Sequence, residues 1–230
     1  VHEDVQNLSS PAYLMDKDYY AQCFNGYGMT VLDTATPRAI GALKRISRAM
    51  PSQEVTAFCT AHSLTPNLFY MAVYSLVLSV LCGENKVSFE GMNHGRKSKR
   101  QRQTYGMFVK TVPFYADLTQ TDTPVLELMQ CFKHQMMQNV RHANFPFTHF
   151  CRDLHRQPSN SFSYQMLSLF IEVDGRQVPI RELPPRLSTE NVSLVIYPNT
   201  DEDIIELCYN EARYSEAQML QMCDMVIQVT

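Results

Sequence analysis

The sequence predicts an α/β (α+β) fold, a two-layer sandwich in which a mixed β-sheet is packed by helices. The first observation is apolar spacing, because Val55, Phe58 and Cys59 follow the i, i+3, i+4 pattern of a one-faced helix. The second is the Asp174-Gly175 pair, which is typical of a tight turn between two paired strands. Helices mixed with hairpin strands and with strands that can pair in parallel favour such a layered architecture.

Local signals predict the elements of the first half of the chain. Capping residues and apolar spacing mark the helices expected there, which are 10–24, 52–62 and 66–82. Apolar runs of strand length mark the strands expected there, which are 86–92 and 107–115. Residues 27–39 resemble a linker, and the stretch from Ile40 to Ser47 fits either a strand or a helix.

The same signals predict a second half that turns from helix to strand. One amphipathic helix, opened by Thr123-Pro124, is expected to carry on a single face Val125, Leu128, Met129, Phe132, Met136 and Val140. A short helix is expected at 146–154, and a last one follows the capping box of Ser215 and Gln218. The strands expected here are Ser163–Glu172, Val192–Tyr197 and Ile204–Tyr209.

Composition argues against several classes of protein. A formal net charge of −3 argues against a nucleic-acid binder, which would carry a basic surface. The apolar run at 66–82 is shorter than the ~20 residues that a bilayer requires, and no signal peptide opens the chain, so no membrane contact is expected. The seven cysteines are odd in number and form no Cys-x-x-Cys pair. That pattern favours free thiols in a cytoplasmic protein over disulfides or a metal site.

Several short segments, taken in order, resemble the motifs of one enzyme family. They are Asp18-Tyr19-Tyr20, the strand Val87–Gly91, the Gly95-Arg96 loop, the Gly-x-Phe-Val-x-Thr pattern of Gly106–Thr111, and His142–Phe147. A compressed remnant of a further motif is formed by Arg152-Asp153 and Arg156-Gln157-Pro158. Over roughly residues 15–228, this order resembles the second half of a nonribosomal peptide synthetase condensation domain.

The resemblance implies a fold and a reaction. The fold is a lobe similar to chloramphenicol acetyltransferase, with residues 1–39 as a lead-in helix and linker from the preceding lobe and residues 40–230 as the C-terminal lobe. The reaction is amide-bond formation between an acyl or peptidyl thioester and an aminoacyl acceptor, each held on the phosphopantetheine arm of a peptidyl carrier protein. The implied partners are carrier proteins and the N-terminal lobe of the same domain, and no cofactor is bound directly.

The resemblance also implies that this chain lacks the catalytic base. The family's His-His-x-x-x-Asp-Gly motif belongs to its first half and does not occur in this sequence, so we expect the chain alone to be inactive. Tyr20 stands where the family has Trp, and Lys110 where it has Asn, which indicates a divergent member. Two alternatives are an epimerisation domain, which has Gly-Trp-Phe in place of Gly106-Met107-Phe108, and a non-catalytic module that only docks a carrier protein.

Two histidines are candidate catalytic groups. His149 and Asp153 match the His-x-x-x-Asp core of coenzyme A-dependent acyltransferases, but Thr148 and Leu154 replace the flanking His and Gly. The pair fits either a stand-alone acyltransferase that uses His149 or a surface pair one helical turn apart. His94 could hydrogen-bond a thioester oxygen or an incoming amine, or it could be held by a backbone carbonyl.

The loop after the strand at 86–92 is the predicted contact site for substrate and carrier. Its candidate residues, with those of the next strand, are Asn93, His94, Arg96, Lys99, Arg100, Gly106, Phe108, Lys110 and Thr111. The positive side chains either attract an acidic carrier and a phosphate or simply form a solvated loop. Arg96 fits either an anion contact or a structural salt bridge. We expect Gly106 to Pro113 as a central strand beside Val87–Gly91, with Lys110 near a rim or cavity.

Overall fold

The computed structural model describes residues 10–32, 39–93, 95–96, 98–106, 108–120, 122–142, 145–153, 160–165, 170–179, 191–199 and 201–230. The helices are α1 Pro11–Cys23, α2 Gln53–Ala61, α3 Pro66–Cys82, α4 Lys99–Arg102, α5 Val125–Arg141, α6 Phe147–Asp153 and α7 Glu216–Val229. The strands are β1 Leu43–Pro51, β2 Lys86–Asn93, β3 Lys110–Asp117, β4 Asn160–Tyr164, β5 Phe170–Val173, β6 Arg176–Pro179, β7 Val192–Tyr197 and β8 Glu202–Asn210.

The main sheet has six strands in the order β1-β8-β7-β4-β2-β3. Strand β8 pairs antiparallel with β1 and β7, and β2 pairs antiparallel with β3. Strand β4 runs parallel to β2, with Glu90 opposite Ser161. A separate two-stranded sheet joins β5 and β6. The predicted α/β class, a mixed sheet packed by helices, is therefore confirmed.

The chain forms two compact units. The first comprises residues 1–32 and 71–162, and the second comprises residues 33–70 and 163–230. The aromatic core of the first unit is centred on Phe89 of β2, whose ring lies 5.7 Å from Phe114 of β3 and 5.6 Å from Phe132 of α5. Tyr74 of α3 packs edge-on against Phe89 at 5.3 Å. Helices α3 and α5 thus cover this part of the sheet through large rings.

Strand β3 is the last strand of the sheet, so its outer backbone groups need partners from elsewhere. Gln135 of α5 supplies two: its Oε1 accepts from the Tyr115 N–H at 3.0 Å, and its Nε2 donates to the Tyr115 carbonyl at 2.7 Å. Asn139, one turn later, donates to the Pro113 carbonyl at 2.9 Å. Pro113 has no N–H to satisfy, which suits an edge position. Two buried amides therefore close the edge of the sheet.

The predicted apolar face of α5 is correct over its first half only. Leu128, Met129 and Phe132 are buried, but Met136 is 36% exposed and Val140 is 48% exposed. Gln135 and Asn139 are buried in their place because they bind the backbone of β3. Apolar burial thus determines the inward face of the first half of this helix, and hydrogen bonding to the strand edge determines that of the second half.

The second unit is built on β1, β8 and β7. The ambiguous stretch at Ile40 to Ser47 resolves as the start of β1, which pairs with β8 from Leu43 to Pro51. Beneath the strands, Tyr70 donates to the Asp203 carboxylate at 2.6 Å. The other oxygen of Asp203 accepts from the Asn199 N–H at 3.1 Å. This buried carboxylate therefore fastens the β7–β8 hairpin to the first turns of α3.

Two predicted strands differ from the structure. The run Ser163–Glu172 is not one strand, because β4 ends at Tyr164 and β5 begins at Phe170 in the other sheet. The predicted Asp174-Gly175 turn does join β5 to β6, and both residues have positive φ, 49° and 71°. The predicted strand at Gly106–Pro113 starts later, at Lys110, and it is terminal in the sheet rather than central.

The remaining predicted helices are confirmed, with boundaries close to those expected. Ser10 caps α1 by accepting from the Tyr13 N–H, and Ser215 and Gln218 form the predicted capping box of α7. Among the described residues, no single helix has the length and apolar composition to cross a membrane. Within the described ranges, one pair, α2 and α3, passes that test together, and the two helices are bent by 107° at the break between them.

Candidate functional site

The candidate site is the loop that connects β2 to β3. The two strands are antiparallel with Asn93 opposite Lys110, so the loop leaves and re-enters the sheet at one point. The Asn93 side chain accepts from the Gly95 N–H at 2.8 Å, which turns the chain sharply. Gly95 has φ +66°, and a Cβ there would overlap the carbonyl oxygen of Phe108. Only glycine allows the two ends of the loop to come this close.

Arg96 holds the loop together from inside. Its guanidinium donates to the carbonyl oxygens of Gln101, of Thr104 at 2.6 Å and of Gly106 at 2.9 Å. It also lies over the Phe108 ring, 4.3 Å from the centroid. The planar fork of an arginine suits several convergent acceptors, so Arg96 acts here as an internal brace.

A short basic helix forms the outer part of the loop. Ser98 and Gln101 form a capping box that fixes the start of α4. Its Lys99, Arg100 and Arg102 side chains are exposed. Three cationic groups on one turn create a positive potential that reaches about one Debye length, ~10 Å, into solution. The loop therefore presents positive charge from a defined backbone rather than from a flexible tail.

Exposed apolar residues border this basic turn. Tyr105 is fully exposed at 102%, Met92 is 60% exposed, and Val109 is 50% exposed. We define the loop surface as Lys99, Arg100, Arg102, Tyr105 and Val109. A surface that combines cationic and apolar groups is suited to binding an acidic protein with an apolar contact at its centre.

The other predicted site residues take different positions. Gly106 is exposed with φ +141°, Lys110 and Thr111 begin β3, and both of these side chains are half-buried. Lys110 lies at the strand end next to Asn93, the kind of rim position expected for it. His94 lies outside the described residues. The structure thus brings most of the predicted loop residues together at one end of the β2–β3 pair.

His149 lies elsewhere, on α6. Its Nδ1 is 3.2 Å from the hydroxyl of Tyr13 on α1, and its ring packs edge-on to Phe145. The side chain of Asp153 lies outside the described part of the structure, so its relation to His149 stays a prediction. The contact with Tyr13 gives His149 a role in joining α1 to α6.

Sequence reasoning missed the residues by which α1 binds the rest of the first unit. Asp16 Oδ1 lies 2.9 Å from His142 Nδ1, and the His142 ring stacks on Tyr19 at 3.8 Å. Tyr20 donates to Asn139 at 3.3 Å. Burial raises the pKa of the Tyr20 phenol, so it remains a donor at neutral pH.

The docking side of α1 was missed because it is not a hydrophobic face. Tyr13, Asp16 and Tyr20 follow the i, i+3, i+7 spacing of one helix side, but two of them are aromatic alcohols and one is an acid. Tyr13 contacts α6, and Asp16 contacts the end of α5. Tyr20 contacts Asn139. Their spacing alone, read without regard to polarity, would have indicated this face.

The cysteines all lie outside the loop. All seven cysteines are free thiols. Burial raises the pKa of Cys151 to about 12 and that of Cys82 to about 11, which keeps both as unreactive thiols near neutrality. Among the described residues, no group of three or more His, Cys, Asp or Glu side chains is placed to hold a metal ion.

The comparisons with known proteins agree with this structure. The condensation-domain family matches residues 1–230. This chain belongs to the condensation domain family. A plipastatin synthase of Bacillus subtilis (strain 168) is 22% identical over 180 residues, which are 73% of this chain and 7% of that protein. Surfactin synthase of the same organism is 23% identical over 178 residues, which are 75% of this chain and 5% of that protein.

Solved structures show the same fold. The first condensation domain of the calcium-dependent antibiotic synthetase, in complex with a substrate analogue, superposes with a TM-score of 0.81 at 15% identity. The match covers 100% of this chain and 52% of that one. The SgcC5 protein from Streptomyces globisporus gives a TM-score of 0.79 at 17% identity, over 99% of this chain and 57% of that one. This condensation-domain chain therefore spans about half the length of these structures.

Proposed function

We propose that this chain is the C-terminal half of a nonribosomal peptide synthetase condensation domain. The observation that carries the proposal is the Gly95-Arg96 loop, whose glycine and arginine are both required by the geometry that holds β2 and β3 at their loop end. The order of the sequence motifs and the half-length match to condensation-domain structures support the same assignment. Residues 1–39 then form the lead-in from the preceding lobe, and residues 40–230 form the C-terminal lobe.

The domain would join an acyl or peptidyl thioester to an aminoacyl acceptor by an amide bond. Both substrates would arrive on the phosphopantetheine arms of peptidyl carrier proteins, and no cofactor would be bound by the chain itself. The seven free thiols support a reducing, cytoplasmic setting. The N-terminal lobe would complete the domain and supply the His-His-x-x-x-Asp-Gly histidine.

Within that reaction, the loop surface would contact the carrier. Its exposed cations suit an acidic carrier and the phosphate of the arm, and Tyr105 and Val109 offer apolar contact. Arg96 would act indirectly, since its guanidinium is bonded to loop carbonyls. Arg96 would thus stabilise the loop from within, and the exposed cations on its outer side would contact the carrier.

The test is a condensation assay with loaded donor and acceptor carrier proteins. The isolated chain should form no amide bond, and addition of a condensation-domain N-terminal lobe that carries the histidine motif should restore product. A His149→Ala variant serves as the control, and it should behave as the parent chain does. Turnover by the isolated chain that His149→Ala abolishes, or acetyl transfer from coenzyme A, would contradict the proposal and establish a stand-alone acyltransferase instead.

A further inference from the structure

A cavity lies at the opposite end of the β2–β3 pair from the loop. It has a volume of about 530 Å³ and is bordered by the Lys86 and Asp117 ends of the two strands, by the first turns of α5 and by Tyr27. Strand β2 is eight residues long, so the cavity lies roughly 23 Å from the loop at about 3.3 Å per residue. It is therefore independent of the site proposed for carrier contact.

The inner wall of the cavity is apolar and aromatic. Ala116, Leu128 and Phe132 form a floor of buried side chains. The Tyr27 and Tyr115 rings stand side by side, with centroids 4.9 Å apart. The volume falls within the roughly 300–1,000 Å³ range of small-molecule sites, and apolar lining with a few polar groups is usual for them.

The rim carries an excess of negative charge. Lys86 Nζ lies 3.5 Å from the Asp117 carboxylate and 5.2 Å from the centre of the Tyr27 ring, so these two charges neutralise one another. Glu127, in the first turn of α5, is exposed and makes no ion pair within the described part of the chain. The rim thus offers one carboxylate, Glu127, to a bound cation, and the aromatic ring of Tyr115 lines the same cavity.

We propose that this cavity binds a small primary amine that carries an aromatic or branched apolar group. The ammonium contacts the Glu127 carboxylate and the face of Tyr115, and the apolar group rests on Leu128 and Phe132. An anion of the same shape is disfavoured because the Glu127 carboxylate repels it, while the charge of Lys86 is balanced by Asp117. The volume of the cavity, its apolar floor and the negative charge of its rim together favour this class of ligand.

Benzylamine is the first probe. Titration of the intact chain, followed by NMR, should shift signals of Tyr115, Leu128 and Phe132, while benzoate at the same concentration should leave them unmoved. Glu127→Gln should weaken benzylamine binding about threefold, the effect of one exposed charge contact. Glu54→Gln is the matched control, because Glu54 is also an exposed first-turn glutamate but belongs to α2 and does not line the cavity.

Disulfide exchange at Cys131 gives a second, independent readout. Cys131 is exposed, lines the cavity and lies one helical turn after Glu127. Its thiolate attacks cystamine, a mixed disulfide forms, and one cysteamine leaves as the free thiol. The yield at Cys131 from cystamine, relative to that from 2-hydroxyethyl disulfide, should fall in Glu127→Gln and not in Glu54→Gln. No benzylamine shift, equal binding of benzoate, or an equal effect of the two Gln variants would overturn the proposal.

Discussion

The two ends of the β2–β3 pair are built in opposite ways. At the loop end, backbone turns and a central arginine hold exposed cations on a four-residue helix. At the cavity end, buried rings and apolar side chains lie beneath a rim with excess negative charge. The same two strands thus carry a cationic surface at one end, proposed for an acidic carrier, and a partly open cavity with an anionic rim at the other, proposed for a small cation. The length of the strand pair, roughly 23 Å at about 3.3 Å per residue, separates the two proposed sites.

The largest expected effect is at the cavity end. Gln135→Leu leaves both the N–H and the carbonyl of Tyr115 without their side-chain partners, at a cost of about 3 kcal/mol for two partly buried groups. Chemical denaturation measures this loss directly. Gln138→Leu, on the same helix but bonded to His134 at its surface, is the control and should cost less than about 0.5 kcal/mol. Equal losses would show that Gln135 does not close the edge of β3.

The next effect is at the loop end. Gly95→Ala places a Cβ against the Phe108 carbonyl and also forces a non-glycine residue to φ +66°. We expect about 2 kcal/mol of destabilisation, measured by thermal unfolding. Gly83→Ala separates the two causes, since Gly83 has φ +65° but nothing within 4 Å of the position that a Cβ would take. It should cost about 1 kcal/mol, the conformational part alone. If the two variants lose the same stability, the close approach to Phe108 contributes nothing.

A smaller effect is expected for the brace of the loop. Arg96→Ala removes the bonds to the Thr104 and Gly106 carbonyls and the contact with Phe108, and should destabilise the chain by about 1 kcal/mol because the site is partly solvated. Amide hydrogen exchange should quicken across 98–106 and remain unchanged in α5. Arg102→Ala removes the same charge from an exposed position, and it should alter neither the stability of the chain nor its amide hydrogen exchange. Unchanged exchange in Arg96→Ala would assign Arg96 a role other than bracing.

The elements that sequence predicts well are those specified locally. Ser10-Pro11, Pro66 with Gly83, and Ser215 with Gln218 define helix ends by chemistry that acts within one turn. The apolar run of α3 and the Asp174-Gly175 turn are equally local. The predictions of these features were therefore correct in position as well as in type.

The elements that sequence predicts poorly depend on partners far along the chain. Strand β3 begins only at Lys110, and Phe108 of the predicted strand packs under Arg96 instead, a contact that the apolar run itself does not indicate. The buried side of the second half of α5 is set by the backbone groups of Pro113 and Tyr115 at the edge of the sheet. The cavity joins residues from three distant segments, so no local pattern could indicate it. The candidate loop was found only because its motif resembles that of a known family.

The affinity of a peptidyl carrier protein for the loop surface is the most direct measurement of the proposed carrier contact. In Lys99→Glu/Arg100→Glu, two exposed cations become anions, so affinity at low salt should fall roughly tenfold with no change in melting temperature. The difference should shrink as salt rises, because the contacts are screened. Lys133→Glu/Arg141→Glu makes the same charge change on the exposed side of α5 and should leave binding within about twofold. Equal affinity for the parent chain and the loop variant at low salt would contradict the assignment of this loop as the carrier-contact surface.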